Sequence, residues 1–288
     1  TNAGRTVTLA PETVIDADVI DLGPDAAAAN RFELTNADID NVTAGTLVIG
    51  TAASGALTVE ADITPVNTTT LHLNSVGAVT ATAGGIVETN LAVTAGGTVN
   101  FTDTTTNVST LAVSNAGQAV TFTEADSVTI GTVDGVAGVT AAALTVNANN
   151  GLTINNDVTT TGITSIDTDL DNNGTGDFTI ATATALSTTN NALNITANDI
   201  TITGTGTLNS GAAATTFLVS DGGTMGLGGT ALNWTLSGAE LQQITATGLT
   251  IGDATNGNMT VNGITAANSA NITGTTTLNA TVATGTVT

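Results

Sequence analysis

The sequence has no cysteine, lysine or tyrosine, and it holds only two arginines, one histidine, one tryptophan and three prolines among 288 residues. Without cysteine there can be no disulfide and no thiolate metal site, and stability must come from packing alone. With aromatics at 2%, a core has to be built from small aliphatic layers. Charged residues make up 9%, against about a quarter in an ordinary globular domain. The residues that usually dress helix surfaces are therefore scarce, and composition points to an all-β chain. A formal net charge of −22 with only Arg5 and Arg31 as cations leaves nothing to neutralise phosphates, which excludes nucleic acid as a partner. No apolar run approaches the length of a membrane span, and no charged segment precedes an apolar stretch as in a signal peptide. The first residue is Thr1, which suits a processed product or a segment of a longer protein.

What the chain has in abundance is Val, Ile, Leu, Ala, Thr, Asn and Gly, with 41% hydrophobic residues. They are arranged as short apolar–polar–apolar strands between Gly, Asn and Asp punctuation. Examples are Leu71-His72-Leu73, Leu91-Ala92-Val93, Leu111-Ala112-Val113, Phe178-Thr179-Ile180 and Leu249-Thr250-Ile251. Such strands are too short for a sandwich but suit one side of a coil. Leu71, Leu91 and Leu111 recur every 20 residues, the length of a solenoid rung. About 20 residues per rung and ~4.8 Å between rungs predict roughly 14 rungs in a rod of about 65–70 Å. Like residues would lie above one another, so that Thr and Asn form hydrogen-bonded ladders while Val, Ile and Leu stack inside. The 26-residue interval from Leu152 to Phe178 reads as a rung with a protruding loop.

A longer period overlies the short one. Phe32 to Val59 aligns without a gap on Trp234 to Val261, a shift of 202 residues with about four in ten positions identical, including Leu34/Leu236, Leu47/Leu249, Gly50/Gly252 and Val59/Val261. The chain thus divides into residues 1–31, which are N-terminal rungs or a partial cap; a full solenoid module over 32–233; and the start of a second copy over 234–288. For residues 1–31, with Pro11, Pro24 and the Ala26 to Ala29 run, a cap, a lateral loop and a short helix are all open. From Ile264 onward the strand pattern continues through Thr277-Leu278-Asn279 and Thr281-Val282, with no recognisable cap.

At Leu236-Ser237-Gly238-Ala239-Glu240-Leu241-Gln242-Gln243-Ile244-Thr245-Ala246, at its first copy Leu34 to Gly50, and at Ala192-Leu193-Asn194-Ile195-Thr196-Ala197-Asn198-Asp199-Ile200, the sequence resembles the repeat regions of filamentous-haemagglutinin-like large exoproteins. The resemblance implies a right-handed parallel β-helix secreted to the surface of a Gram-negative bacterium, acting as the shaft of an adhesin or as a subunit of a filament or layer. It also implies a cell-surface glycan or protein as receptor, with self-association or further repeats of the same chain as the nearest partners. The Asn-Pro-type motifs of that family's secretion domain are absent, so the likeness is to shaft rather than exporter-binding region.

Sites are few. His72 is the only histidine and sits in the polar middle of its strand, the place of an outward solenoid residue rather than a zinc ligand. No nucleophile-elbow pattern offers it a Ser partner. An enzyme of the pectin-lyase-like β-helix class would need cations to hold acidic sugars, and Arg5 and Arg31 alone could serve. The expectation is no catalysis and no cofactor apart from calcium. In Asp167 to Asp177, the oxygens of Asp169, Asp171, Asn173 and Asp177 fall at positions 1, 3, 5 and 9 of an EF-hand-like loop with Gly174 at 6, although position 12 is Ile180. The plain alternative is a polar turn. Asn41, Asn107, Asn194 and Asn271 begin Asn-x-Ser/Thr sequons, as expected by composition, and Asn194 belongs in a ladder.

Overall fold

The structure, a computed structural model, describes residues 2–12, 19–23, 31–115, 117–280 and 287. It is all-β, with 50% strand and 3% helix, and it divides into two compact units, Thr1–Ala142 and Ala143–Thr288. That division falls inside the 32–233 module, which remains a period of sequence. Pro24, the Ala26 to Ala29 run and Thr281-Val282 lie outside the described residues.

In the first unit, the strands Asn2–Leu9, Ala44–Gly50, Thr70–Ser75, Val87–Ala95 and Asn107–Ser114 form one parallel ladder. Arg31–Leu34, Val19–Leu22, Leu57–Val59, Val79–Ala81, Val99–Phe101 and Val120–Glu124 form another. Register puts like on like. Leu47, Leu71, Leu91 and Leu111 face one another down the first ladder, as do Ile49, Leu73, Val93 and Val113. All eight are buried. In the second ladder Ile20, Leu57, Val79, Val99 and Val120 make one buried column, and Leu22, Val59, Ala81, Phe101 and Phe122 the other. A fully buried aliphatic side chain contributes about 1.5–3 kcal/mol relative to exposure, so columns rather than any single anchor hold the unit together.

The second unit repeats this β-solenoid-like logic. Its longest parallel ladder runs Leu144–Ala148, Thr164–Asp167, Leu193–Ala197, Ala214–Val219, Gly248–Ile251 and Thr276–Leu278. Val146, Ile166, Ile195, Phe217 and Ile251 form its buried column. The neighbouring column alternates Leu144, Thr164, Leu193, Thr215 and Leu249. Its two buried threonines each find a hydroxyl partner at 2.8 Å, Thr160 for Thr164 and Ser210 for Thr215, as buried polar groups require. Asn194 takes its ladder place between Ser165 and Thr216.

The 20-residue interval holds from Leu71 to Leu91 to Leu111, but in-register partners lie 29 residues apart at Thr164 and Leu193 and 34 apart at Thr215 and Leu249. The longer intervals carry insertions, so a uniform 20-residue spacing does not describe the chain. Leu152 pairs with Phe178, and the interval between them holds the strands Val158–Thr160 and Thr164–Asp167 and then the rest of the Asp167 to Asp177 segment.

The aligned segments adopt the same local structure. Arg31–Leu34 and Trp234–Leu236 each pair with a strand earlier in the chain, Val19–Leu22 and Met225–Gly228, whose other edge pairs with Leu57–Val59 and Met259–Asn262. Each is followed by a one-turn helix, Asn36–Asp40 or Gly238–Leu241, closed by a capping box: Thr35 with Asp38, Ser237 with Glu240. Each then makes the same corner, at Gly50 with φ 84° and Gly252 with φ 80°. A Cβ on Gly50 would stand 2.2 Å from the Asn74 carbonyl oxygen, and one on Gly252 2.4 Å from that of Asn279. Glycine is needed there both for its backbone and for the close approach. We expect Gly50→Ala to cost at least ~2 kcal/mol in urea unfolding, because strain adds to displacement of the next strand. Gly117→Ala, at φ 95° with open space around it, should cost about 1 kcal/mol. Equal losses would mean that Asn74 does not pack against this corner.

Candidate functional site

One polar arrangement in the first unit centres on His72, the only histidine of the sequence. Down its outward column it aligns with Val48 on one side, then Ala92 and Ala112 on the other. The two alanines leave a shelf on which Val133 and Val136 pack. These belong to a two-stranded antiparallel hairpin, Thr132–Val133 with Val136–Ala137, turned by Asp134 at φ 46° and Gly135 at φ 80°. Two central residues with positive φ make a type I′ turn, whose twist suits such hairpins. The turn delivers the Asp134 carboxylate to His72 Nδ1 at 2.7 Å, while His72 Nε2 lies 3.0 Å from Thr94 Oγ1. His72 therefore points outward as its strand position requires, but the hairpin covers it to 9% exposure.

Asp134, His72 and Thr94 have the connectivity of an acid–base–hydroxyl relay. Acyl transfer would also need N–H donors free to hold an oxyanion. The nearby Gly96 and Gly97 N–H groups are spent on the Ser75 and Gly77 carbonyls at 3.1 and 2.8 Å. The arrangement pins the hairpin to the sheet. Thr94 also lines a shallow hollow of about 310 Å³ with Asn74, Ser75 and Ser114, which presents hydroxyls and amides but no charge.

Glu88 and Glu124 of the same unit are buried carboxylates. Glu88 accepts from Thr68 Oγ1 at 2.7 Å and from the Thr89 N–H at 2.7 Å, and it lines a hollow of about 330 Å³ with Pro65, Asn107 and Ser109. Glu124 is wholly buried. Both its oxygens receive the Val108 N–H, at 3.2 and 3.0 Å. Burial pushes its pKa up to about 8, against the pull of those N–H bonds.

In the second unit, the residues expected to hold calcium are occupied separately. Asp169 is buried and accepts from the Asn173 and Gly174 N–H groups at 3.0 and 3.1 Å and from Ser220 Oγ at 2.5 Å. Asp171 accepts from the Asn173 side-chain amide at 2.8 Å, and Asp177 from that of Asn198 at 2.9 Å. The loop brings Asp169 onto the Asn173–Gly174 backbone but turns the Asn173 amide, rather than its oxygen, to Asp171. Among the described residues no three acidic or histidine side chains gather as a metal group. Burial also raises the pKa values of Asp167 and Asp199. Of the sequon asparagines, Asn41, Asn107 and Asn271 are exposed and Asn194 is half-buried.

Sequence reasoning missed Asp134 and Glu124. Asp134-Gly135 between valines is a hairpin signal that could have been read. Glu124 shares the parity of buried Val120 and Phe122, yet a carboxylate there breaks the apolar pattern. Comparisons with family models, with curated proteins and with solved structures return no match.

Glu124 gives a pH prediction. A carboxyl raised from 4.5 to about 8 keeps in the folded state a proton that the unfolded chain releases. Its stabilisation is full below pH 4.5 and is lost as pH rises through 8, an effect of a few kcal/mol at about 1.4 kcal/mol per unit. Asp167 and Asp199 act in the same sense. Thermal midpoints should fall between pH 5 and pH 8, and Glu124→Gln should flatten most of that fall. An unchanged slope in the variant would refute the assignment.

Proposed function

We propose that the chain is a structural segment of an extracellular right-handed parallel β-helix, with plain rungs of about 20 residues. In this reading it is the shaft of a secreted adhesin, or a subunit of a surface filament or layer, in a Gram-negative bacterium, and it performs no catalysis. The observation that carries the reading is the in-register stacking of like residues, from Leu47 to Leu111 and from Val146 to Ile251. Parallel ladders of this kind extend by adding the same unit again and resist bending, as a projecting stalk must. The resemblance of Leu34 to Gly50 and Leu236 to Asp253 to exoprotein repeats supports the same conclusion.

The surface chemistry is in keeping with it. A charge of −22 without lysine keeps neighbouring chains apart and offers few sites to trypsin-like proteases. Of the two cations, Arg31 is bound to buried Asp21 at 2.5 Å, which leaves little to attract an acidic sugar. Negative-stain electron microscopy of the purified chain tests the proposal. Short discrete rods are expected of a shaft segment, and long fibres of an end-to-end polymer. Compact rounded particles would contradict both.

A further inference from the structure

The two copies of the aligned motif differ in what covers them. In the second copy each edge faces an earlier strand: Ala214–Val219 pairs with Leu193–Ala197, and Ile244–Thr245 with Thr207–Asn209. Trp234–Leu236 lies against Ile200–Ile202, joined by two carboxylates. Asp199 Oδ1 accepts the Thr235 N–H at 2.7 Å, and Glu240 Oε1 accepts the Ile202 N–H at 3.0 Å. Thr215, Phe217 and Trp234 are consequently buried, with Phe217 and Trp234 in ring contact at 5.8 Å.

Register identifies their counterparts in the first copy. Val7 and Leu9 face Leu47 and Ile49 as Thr215 and Phe217 face Leu249 and Ile251. Phe32 faces Ile20 as Trp234 faces Met225. Among the described residues, however, Asn2–Leu9 pairs only with Ala44–Gly50, and Arg31–Leu34 only with Val19–Leu22. Val7, Leu9 and Phe32 are all partly exposed. Three apolar side chains thus stand along two parallel strand edges, Val7 and Leu9 on one and Phe32 on the other, whose counterparts elsewhere in this chain are buried under a preceding rung. Asp38, the counterpart of Glu240, closes its capping box through Oδ2, as Glu240 does through Oε2 while its Oε1 reaches the covering strand.

We propose that these two edges together form a docking surface whose occupant is the last rung of another 202-residue repeat, added in parallel. The inference rests on the solenoid reading above. The occupant's chemistry follows from the second copy: an apolar–polar–apolar strand like Leu193-Asn194-Ile195 over Val7 and Leu9, then one like Asp199-Ile200-Thr201-Ile202 over Phe32. Exposed strand edges of this kind are templates for pairing, and an internal repeat supplies the matching template.

The test grafts an extra copy of residues 185–208 directly before Thr1 of the full chain, which preserves the Leu193-to-Phe217 spacing between the grafted leucine and Leu9. Amide hydrogen exchange should slow by about tenfold or more in Thr6 to Leu9 and in Arg31–Leu34. A scrambled graft should leave both unchanged. Asp199→Asn within the graft should weaken protection of Arg31–Leu34 more than of Thr6 to Leu9. Fast exchange at both edges beside a freely exchanging graft would overturn the proposal. So would concentration-dependent association of the ungrafted chain, seen by sedimentation, that protects the same amides, because the occupant would then be a second whole copy. Exchange in Thr70–Ser75 and Val87–Ala95 separates the two levels of the argument. If these are protected and the two edges are not, the docking proposal alone fails; if they too exchange freely, the solenoid reading fails with it.

Discussion

Everything in this protein depends on parallel strands lying in register, so that each inward side chain rests on a similar one from the neighbouring strand. The constraint explains the composition. A column can be filled by Leu on Leu or Val on Val with few aromatics, and the chain uses Phe101 on Phe122 where width allows. Short strands suffice because each residue pair is reinforced above and below, and Thr or Asn between the apolar positions can bond to the adjacent strand. Cysteine, a large aromatic core and paired charges are dispensable when the same contact is made many times.

Departures from the plain ladder are where the chain stores its distinctive features. A hairpin clamped by His72 and Asp134 covers an alanine shelf. A loop closed around the Asp169 carboxylate lengthens one interval. The capping-box motif appears twice, and each time it places a strand on the far edge of an earlier one. In the second unit Asp199 and Glu240 carboxylates stand between that strand and Ile200–Ile202, doing with side chains what a ladder does with carbonyls. Burial of Glu124, Asp167 and Asp199 pulls stability toward lower pH, a consequence of using carboxylates as internal acceptors in a chain almost without cations.

The columns were legible in the sequence because identity is visible: Leu71, Leu91 and Leu111 announce their own stacking, and the shift of 202 residues announces a recurring motif. The 26-residue interval from Leu152 to Phe178 was legible too, but the one from Thr215 to Leu249 was not, since a period averaged over plain rungs takes no account of inserted strands such as Met225–Gly228 and Trp234–Leu236. Both helices are marked by Thr35-x-x-Asp38 and Ser237-x-x-Glu240, but one turn of helix is too short to show a 3.6-residue periodicity. The segment from Asp167 to Asp177 shows what spacing leaves open. Spacing along a loop places oxygens at the right intervals without fixing which way they turn, and here Asp169 turns to backbone N–H groups. The contact between His72 and Asp134 spans 62 residues, and no local pattern encodes it.

The register itself can be measured directly. Thr58, Thr80 and Asn100 are consecutive partners on one outward column, and a chain without cysteine accepts pairs of engineered spin labels at chosen sites. Labels at Thr58 and Asn100 should lie roughly 10 Å apart, two strand spacings, and labels at Thr58 and Thr80 about half that, with strong dipolar broadening in both. Separations beyond about 20 Å for the Thr58–Asn100 pair, more than label linkers can add to two strand spacings, would contradict in-register parallel stacking and the account built on it.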